Sequence, residues 1–339
     1  MQTRTQAFPN KYFTAEDILK GESPVFLDIE TTGFSPDVSA VFMIGCAYAE
    51  ADKFVLIQWL ADTLELSGEQ DILTAFSEWL QQYASCHEKP CLITYNGQNF
   101  DLPFLKSRYI QCGLSSPPDS LNLKSIDLYR EFLPLKAFWP AGNMKLKSMS
   151  SWAGYSYNGA PEGRQLIKAY HQYIKIKDSK TMNLLFLHNS DDLKALASIL
   201  PLQNYSRLFA GAYTIAGLSP ADDALSFYLK SEVFLPVPAT FSAFDCSLSV
   251  QPEKCRLCVP LYERGLRYYY SDIKNYVYLP EEDYALHKSM TAYIDKNHWQ
   301  KARPENCYTW FLPDEAFLNQ PERQRAYVQM IFRLFGFLR

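Results

Sequence analysis

The chain has no apolar run approaching the ~18–20 residues that cross a bilayer. Its start, MQTRTQAFPNKYF, lacks the apolar core of a signal peptide. Both absences point away from a membrane and make the cytoplasm the expected location. Positive charge is also scarce: 33 Lys and Arg against 37 Asp and Glu leave a formal charge of −4. That balance excludes a protein that coats nucleic acid through bulk charge, but leaves room for one that grips a strand end locally. The eight cysteines, at 46, 86, 91, 112, 246, 255, 258 and 307, are too scattered for a disulfide framework in a reducing compartment. The one C-x-x-C, Cys255 and Cys258, has no second pair to complete a zinc site, and in a strand its sulfurs point to opposite faces. Small buried thiols are the expectation there. Repeats and low-complexity segments are lacking too.

What is present is a long, apolar and aromatic chain: 339 residues, 47% hydrophobic and 15% aromatic, enough for two domains with substantial cores. Residues 24–30, 40–49 and 53–60 read as strands, rich in Val, Ile, Phe and Tyr. Residues 67–85 carry helical apolar spacing, with Ser67 as the expected N-cap and Gln70 placed for a capping box. A short strand at 91–96 precedes a helix from about Asp101, and three more helices are expected near 145–153, 162–175 and 179–200. Strands in a meander, then strands alternating with helices, predict a mixed sheet covered by helices, an α/β class. Pro201, Gly211, Gly217 and Pro220 break the pattern and place a boundary near 205–222. Domains of 1–204 and 205–339 follow, the second smaller, α+β and rich in strands. Eleven of the 23 tyrosines lie beyond residue 223, so the composition shifts at the same point.

Within VFLDIETTGFSP, residues 25–36, two acids interrupt an apolar strand. Asp28 and Glu30, two apart, share one face, while Leu27 and Ile29 point the other way, toward a core. Neighbouring carboxylates repel, and burial adds to that penalty. A divalent cation relieves it, since hard oxygen donors suit Mg²⁺ or Mn²⁺. A third acid, Asp101, follows the strand end and turn of ITYNGQNFDLPFL, 93–105. In LLFLHNSDDLKAL, 184–196, His188 and Asp192 stand at i and i+4 on one helical face. Taken alone, that pair reads sooner as an exposed helix-stabilising contact than as ligands. Asp127, in SIDLYR, is expected to cap the turn that follows it, with a place near the cations as the alternative.

Together these segments resemble the DnaQ-like (DEDD) exonuclease superfamily, which has the ribonuclease H-like fold. FLDIETTG matches its first motif at Asp28 and Glu30, YNGQNFDLPFL its second at Asp101, and HNSDDLKAL its third at Asp192. Among its branches the chain is most similar to the YprB-type ribonuclease H-like proteins of bacteria, over roughly residues 20–204, with MKLKSMSSWAG and the helix after APEGRQLIKAY in agreement. In the third motif a histidine stands where tyrosine-type members carry tyrosine, with three residues between it and the aspartate rather than the four of histidine-type members. A five-residue step turns a side chain ~100° further round a helix than a four-residue step, so His188 is a candidate base at a displaced position.

The resemblance implies two-metal phosphodiester hydrolysis and, most specifically, a 3′–5′ exonuclease acting on single-stranded DNA or RNA. Asp28 would bridge two divalent cations, Mg²⁺ or Mn²⁺, with Glu30 and Asp192 on one and Asp101 on the other. His188 would take a proton near neutral pH. Thr31, Asn96 and Phe100, from the same motifs, and Lys175 and Lys177 are the expected substrate contacts. The two lysines belong to a basic group with Arg164, Lys168 and Lys180 that reads equally as a solvated helix face. A catalytically inactive nucleic-acid-binding module is the alternative, weakened because all four acids are present. A glycoside hydrolase is a distant third, since acids two apart on one strand are too close.

No family resemblance extends to the last third. Tyr268, Tyr270, Tyr276 and Tyr278 suit the half-buried side of one hairpin, although aromatics interleaved with Lys, Arg and His also describe a single-strand platform. Pro280–Lys296 reads as a helix, with acids early and bases late. Asp283 and His287, at i and i+4 within it, lack further ligands and are given no catalytic role.

Overall fold

The structure is a computed structural model. It describes residues 1–9, 19, 21–50, 52–115, 121–159 and 163–338, and elements are numbered below among these. The predicted start of the 162–175 helix, at residue 162, lies outside them. The chain divides into two compact units, one of 1–133 with 141–203, the other of 134–140 with 204–339.

The first unit holds a six-stranded mixed sheet. Its strands are β1 (Gln2–Pro9), β2 (Ser23–Thr31), β3 (Val41–Glu50), β4 (Lys53–Leu60), β5 (Pro90–Thr94) and β6 (Lys124–Asp127), in the order β1-β4-β3-β2-β5-β6. The meander β2-β3-β4 is antiparallel, and β5 and β6 then add in parallel. The polar sequence of β1, QTRTQAFP, carries no apolar alternation, so the strand was not expected. It is an edge strand, held by its ladder to β4.

Helices cover the sheet as the pattern predicts. Helix α1 (Leu66–Cys86) and helix α2 (Asp101–Gln111) place Ile72, Phe76, Leu80, Phe104 and Tyr109 against Val25, Leu27 and Ile29 of β2. The cap of α1 differs from the expectation. Glu65, not Ser67, is the N-cap residue, and it makes no side-chain cap bond, while Gln70 donates to the carbonyl of Cys112 at 3.1 Å. After β6 come α3 (Leu128–Phe132) and α4 (Leu146–Trp152). Helices α5 (Arg164–Ile176) and α6 (Ser179–Ile199) then pack Leu166, Tyr170, Leu185 and Phe186 with Phe42, Met43 and Leu60. Asp178 caps α6 by accepting the N–H of Thr181 at 2.8 Å.

Besides residues 134–140, the second unit holds α7 (Gln203–Phe209) from Asn204 onward. A five-stranded antiparallel sheet follows, built of β7 (Tyr213–Pro220), β8 (Ala224–Ser231), β9 (Ala239–Ala243), β10 (Cys246–Val250) and β11 (Lys254–Pro260), in the order β7-β8-β11-β10-β9. Two smaller sheets pair β12 (Leu266–Tyr269) with β16 (Tyr308–Phe311), and β13 (Tyr276–Leu279) with β14 (Tyr284–His287) and β15 (Gln300–Lys301). Helices α8 (Glu315–Asn319) and α9 (Pro321–Leu334) close the chain. Phe138, Tyr205, Phe209, Phe332 and Phe337 form an aromatic core in this unit.

Two expectations fail here. Tyr268–Tyr270 and Tyr276–Tyr278 do not form one hairpin, because their strands belong to different sheets; Tyr270 and Tyr276 instead stack at 4.2 Å. Pro280–Lys296 is not a helix. Asp283 turns the chain at a φ of 54°, and its carboxylate accepts the hydroxyls of Tyr278 and Tyr308, each at 2.5 Å. Those tertiary bonds favour a β13-β14 hairpin followed by 3₁₀ turns over the helix that charge order alone suggests.

Candidate active site

Strand β2 sets the site by its alternation. Val25, Leu27 and Ile29 are sunk in the core, and Asp28 and Glu30 turn toward α6. At the acids the ladder is irregular: Glu30 pairs with Met43 but Thr31 with Val41, leaving Phe42 as the extra residue of a β-bulge. Bulges re-aim the side chains beside them, and this one falls at the last acid of the motif.

Helix α6 supplies the opposite wall. His188 and Asp192, one turn apart, meet Glu30: His188 Nε2 lies 3.3 Å from Glu30 Oε1 and 3.2 Å from Asp192 Oδ2. One ligand atom from each of these three residues lies within 4.8 Å of the others, a geometry able to hold a cation. The alternative reading of His188 and Asp192 as an exposed helix pair therefore fails, since His188 is buried against β2. The structure also places His188 within a group that could hold a cation, beside the role of base expected for it.

Asp28 is fixed by a row of residues across three strands. Asp28, Gly45 and Gln58 stand directly opposite one another on β2, β3 and β4. Asn189 of α6 lies over the middle of the row. Its Nδ2 donates to Asp28 Oδ2 at 2.8 Å, and its Oδ1 accepts from Gln58 Nε2 at 2.8 Å. Gly45 makes room for it: a Cβ there would come within 2.7 Å of Asn189 Cγ and 2.8 Å of Leu193 Cδ1.

Asp101 enters from the other side. β5 pairs with β2 only over Ser23–Phe26, and beyond that point Asp101 Oδ1 accepts the N–H of Ile29 at 3.3 Å. Asp127 behaves as a cap, as expected, and also clamps the preceding turn. It accepts from Tyr129 N at 3.1 Å, Asn96 N at 2.7 Å and Gln98 N at 3.2 Å.

The four acids bear on one another's charge. Burial, then the charges of Asp192, Glu30 and Asp101, hold the Asp28 carboxyl well above the usual range, against the opposing bond from Asn189. Burial and the charges of Asp192 and Asp101 do the same for Glu30. Burial pushes Asp101 up to about 7, with Asp127 and Asp192 adding to it and backbone N–H groups opposing. Carboxyls that resist ionisation together are a donor set suited to a hard divalent cation, which favours their charged form. The residues present fit such an ion.

Sequence reasoning missed a second layer on α6 and before it. Tyr157 donates its hydroxyl to Asp192 Oδ1 at 2.7 Å. Buried Asp191 secures that segment by accepting from Tyr155 Oη at 2.8 Å, Asn158 N at 2.8 Å and Asn158 Nδ2 at 2.6 Å. Signals existed for part of this: Asn189 adjoins His188 in the motif, while Gly45 and Gln58 interrupt otherwise apolar strands. Tyr157 had none.

The expected substrate residues are placed as follows. Thr31 Oγ1 donates to the Gly33 carbonyl at 2.7 Å. Asn96, at a φ of 63°, accepts from Asn99 Nδ2 at 2.7 Å. Half-buried Phe100 packs edge-on to exposed Phe34 and against Phe104. Lys175 is exposed on the last turn of α5, and Lys177 ends that helix in the left-handed region with its ammonium 5.0 Å from the Tyr173 ring centre. Arg164, Lys168 and Lys180 are exposed as well.

An antiparallel meander joined by two parallel strands, helices on both sides and acids at the ends of β2 and the start of α2 define the ribonuclease H-like class. The model of the RNase H superfamily matches residues 25–203, and the chain belongs to that superfamily. No curated protein matches the sequence. Solved structures similar to it include a family B DNA polymerase from the hyperthermophilic archaeon Pyrobaculum calidifontis, at 13% identity and a TM-score of 0.42. The match covers 93% of this chain but 46% of the polymerase chain, less than half its length.

Proposed function

We propose that the chain is a metal-dependent nuclease, and more specifically a 3′–5′ exonuclease of the DnaQ-like (DEDD) type in its YprB-like branch. The substrate would be single-stranded DNA or RNA at a 3′ end. The observation that carries this reading is the convergence of Asp28, Glu30, Asp101 and Asp192 beside His188, from segments far apart in sequence. Such a cluster is electrostatically unfavourable unless a cation occupies it, and membership of the RNase H superfamily makes phosphodiester chemistry the first candidate.

Asp28, Glu30, Asp101 and Asp192 would hold two divalent cations, Mg²⁺ or Mn²⁺, with His188 Nε2 close enough to join Glu30 and Asp192. Bound there, the cations supply positive charge at the scissile phosphate and lower the pKa of water. The chain's own part is positional. Asn189 and Tyr157 each orient one carboxylate, and the Asp101 bond to Ile29 N ties the third segment to β2. When no cation takes its Nε2, His188 faces two carboxylate oxygens and is placed to hold or pass on a proton there. Thr31, Asn96 and Phe100, with Lys175 and Lys177 at longer range, are proposed to position the strand.

The test is cleavage of matched 5′-labelled RNA and DNA oligonucleotides in Mn²⁺, in Mg²⁺ and in chelator. Stepwise shortening from the 3′ end is expected, lost in chelator and lost in Asp28→Ala and Asp192→Ala, both still folded. Full activity in either variant would overturn the assignment.

A further inference from the structure

The five-stranded sheet of the second unit buries one face and exposes the other. On β8, Leu225, Phe227 and Leu229 are buried, and on β11, Cys255, Leu257 and Val259. The alternate positions Tyr228, Lys230, Lys254 and Arg256 are exposed. Register then sets their neighbours: Lys230 lies directly opposite Lys254, and Tyr228 directly opposite Arg256. Arg256 reaches over the Tyr228 ring, 5.9 Å from its centre, and donates to Ser226 Oγ at 3.0 Å. These side chains line a shallow groove of ≈ 560 Å³, in which Glu253 is the one acid.

Like charges directly opposite on neighbouring strands destabilise a sheet. Lysines are useful on edge strands, where they deter pairing with other chains. That explanation does not apply here, because β8 and β11 are interior strands in the order β7-β8-β11-β10-β9. Three cations beside an exposed aromatic ring thus stand on two interior strands, the lysine pair at the end of their shared ladder, in a chain whose net charge is −4. A polyanion with planar groups answers both features at once: phosphates neutralise the facing lysines and bases stack on the tyrosine.

We infer that this sheet face is a second nucleic-acid contact, taking a single-stranded segment. The choice of nucleic acid among polyanions rests on the nuclease reading of the first unit. Lys230 and Lys254 meet successive phosphates, Arg256 a third, and Tyr228 carries a base.

The test is fluorescence anisotropy of a labelled single-stranded oligonucleotide with the full chain, in chelator so that no cleavage intervenes. Lys230→Gln with Lys254→Gln is expected to weaken binding about tenfold and to reduce the slope of log K against log salt by about 0.7 per lysine. Tyr228→Ala is expected to weaken binding about fivefold with the slope unchanged. Lys53→Gln with Lys136→Gln, exposed positions elsewhere, serves as the charge-matched control. Unchanged affinity in the Lys230/Lys254 variant, or an equal loss in the control, would overturn the inference. Melting curves of each variant separate loss of binding from loss of fold. Weaker binding without any cleavage by the wild type would uphold this face and sink the nuclease reading, whereas cleavage with unaltered binding would do the reverse.

Discussion

Asn189 Nδ2 donates to Asp28 Oδ2 at 2.8 Å, while Asn189 Oδ1 is held by Gln58, so the amide cannot turn without losing both bonds. One carboxylate of the site is thereby held by a neutral amide of α6. Asn189→Ala should lower metal-dependent cleavage about 10–100-fold, the usual effect of removing a partner that orients a ligand. Gly45→Ala should have a similar effect by displacing the same amide. Mn²⁺ titration alongside cleavage rates checks whether the loss lies in metal affinity.

Tyr157 provides the corresponding bond to Asp192 from outside the helix. Burial, then the charge of Asp192, pushes its phenol well above the ordinary range, so it stays protonated and remains a donor at working pH. Tyr157→Phe should cost about tenfold in Mn²⁺ affinity and leave the melting temperature nearly unchanged. An unaltered affinity would show that Asp192 is oriented by α6 alone.

The acids also make stability depend on pH. Asp28 and Glu30 titrate above their ordinary range and Asp101 near about 7 when folded. The folded state therefore binds more protons than the unfolded one from about pH 4 upward. Their contribution is fully present below the unfolded values and is lost as pH rises through the folded ones. In chelator, the melting temperature should fall as pH rises through about 7. Mn²⁺ should reverse this, stabilising more at high pH because binding displaces protons. Asp101→Asn should flatten the metal-free profile. A melting temperature independent of pH in chelator would contradict the convergence of the acids.

A buried ion pair braces the segment after Thr31. Arg108 donates to Glu69 through Nε at 2.8 Å and Nη2 at 2.6 Å, while its Nη1 donates to the Pro36 carbonyl at 2.9 Å. Glu69 also accepts the N–H of Val41 at 2.8 Å. Arg108→Met would leave a buried carboxylate without its cation, and should destabilise the fold by about 3–5 kcal/mol. Urea denaturation checks the magnitude. Glu69→Gln with Arg108→Met should recover much of that loss, since the uncompensated charge is then gone.

Much of the first unit was legible because its signals are local. Alternation in Val25–Glu30 and apolar spacing in α1 and α6 follow from the geometry of a single strand or helix. β1 was missed because an edge strand needs only a partner, not an apolar face of its own. Pro280–Lys296 was misread because charge order is a weak preference, outweighed once Tyr278, Tyr308 and Trp310 all bond to Asp283.

By itself, the sequence determined which carboxylates share a strand face and that His188 and Asp192 share a helical turn, since backbone periodicity fixes both. Only the tertiary structure decided that β2 and α6 face each other, that Asn189 fits over Gly45 to hold Asp28, and that Tyr157 reaches Asp192. Those relations depend on the register of three strands and the packing of a helix across them, and distances between segments 35 to 161 residues apart are not encoded in any local pattern.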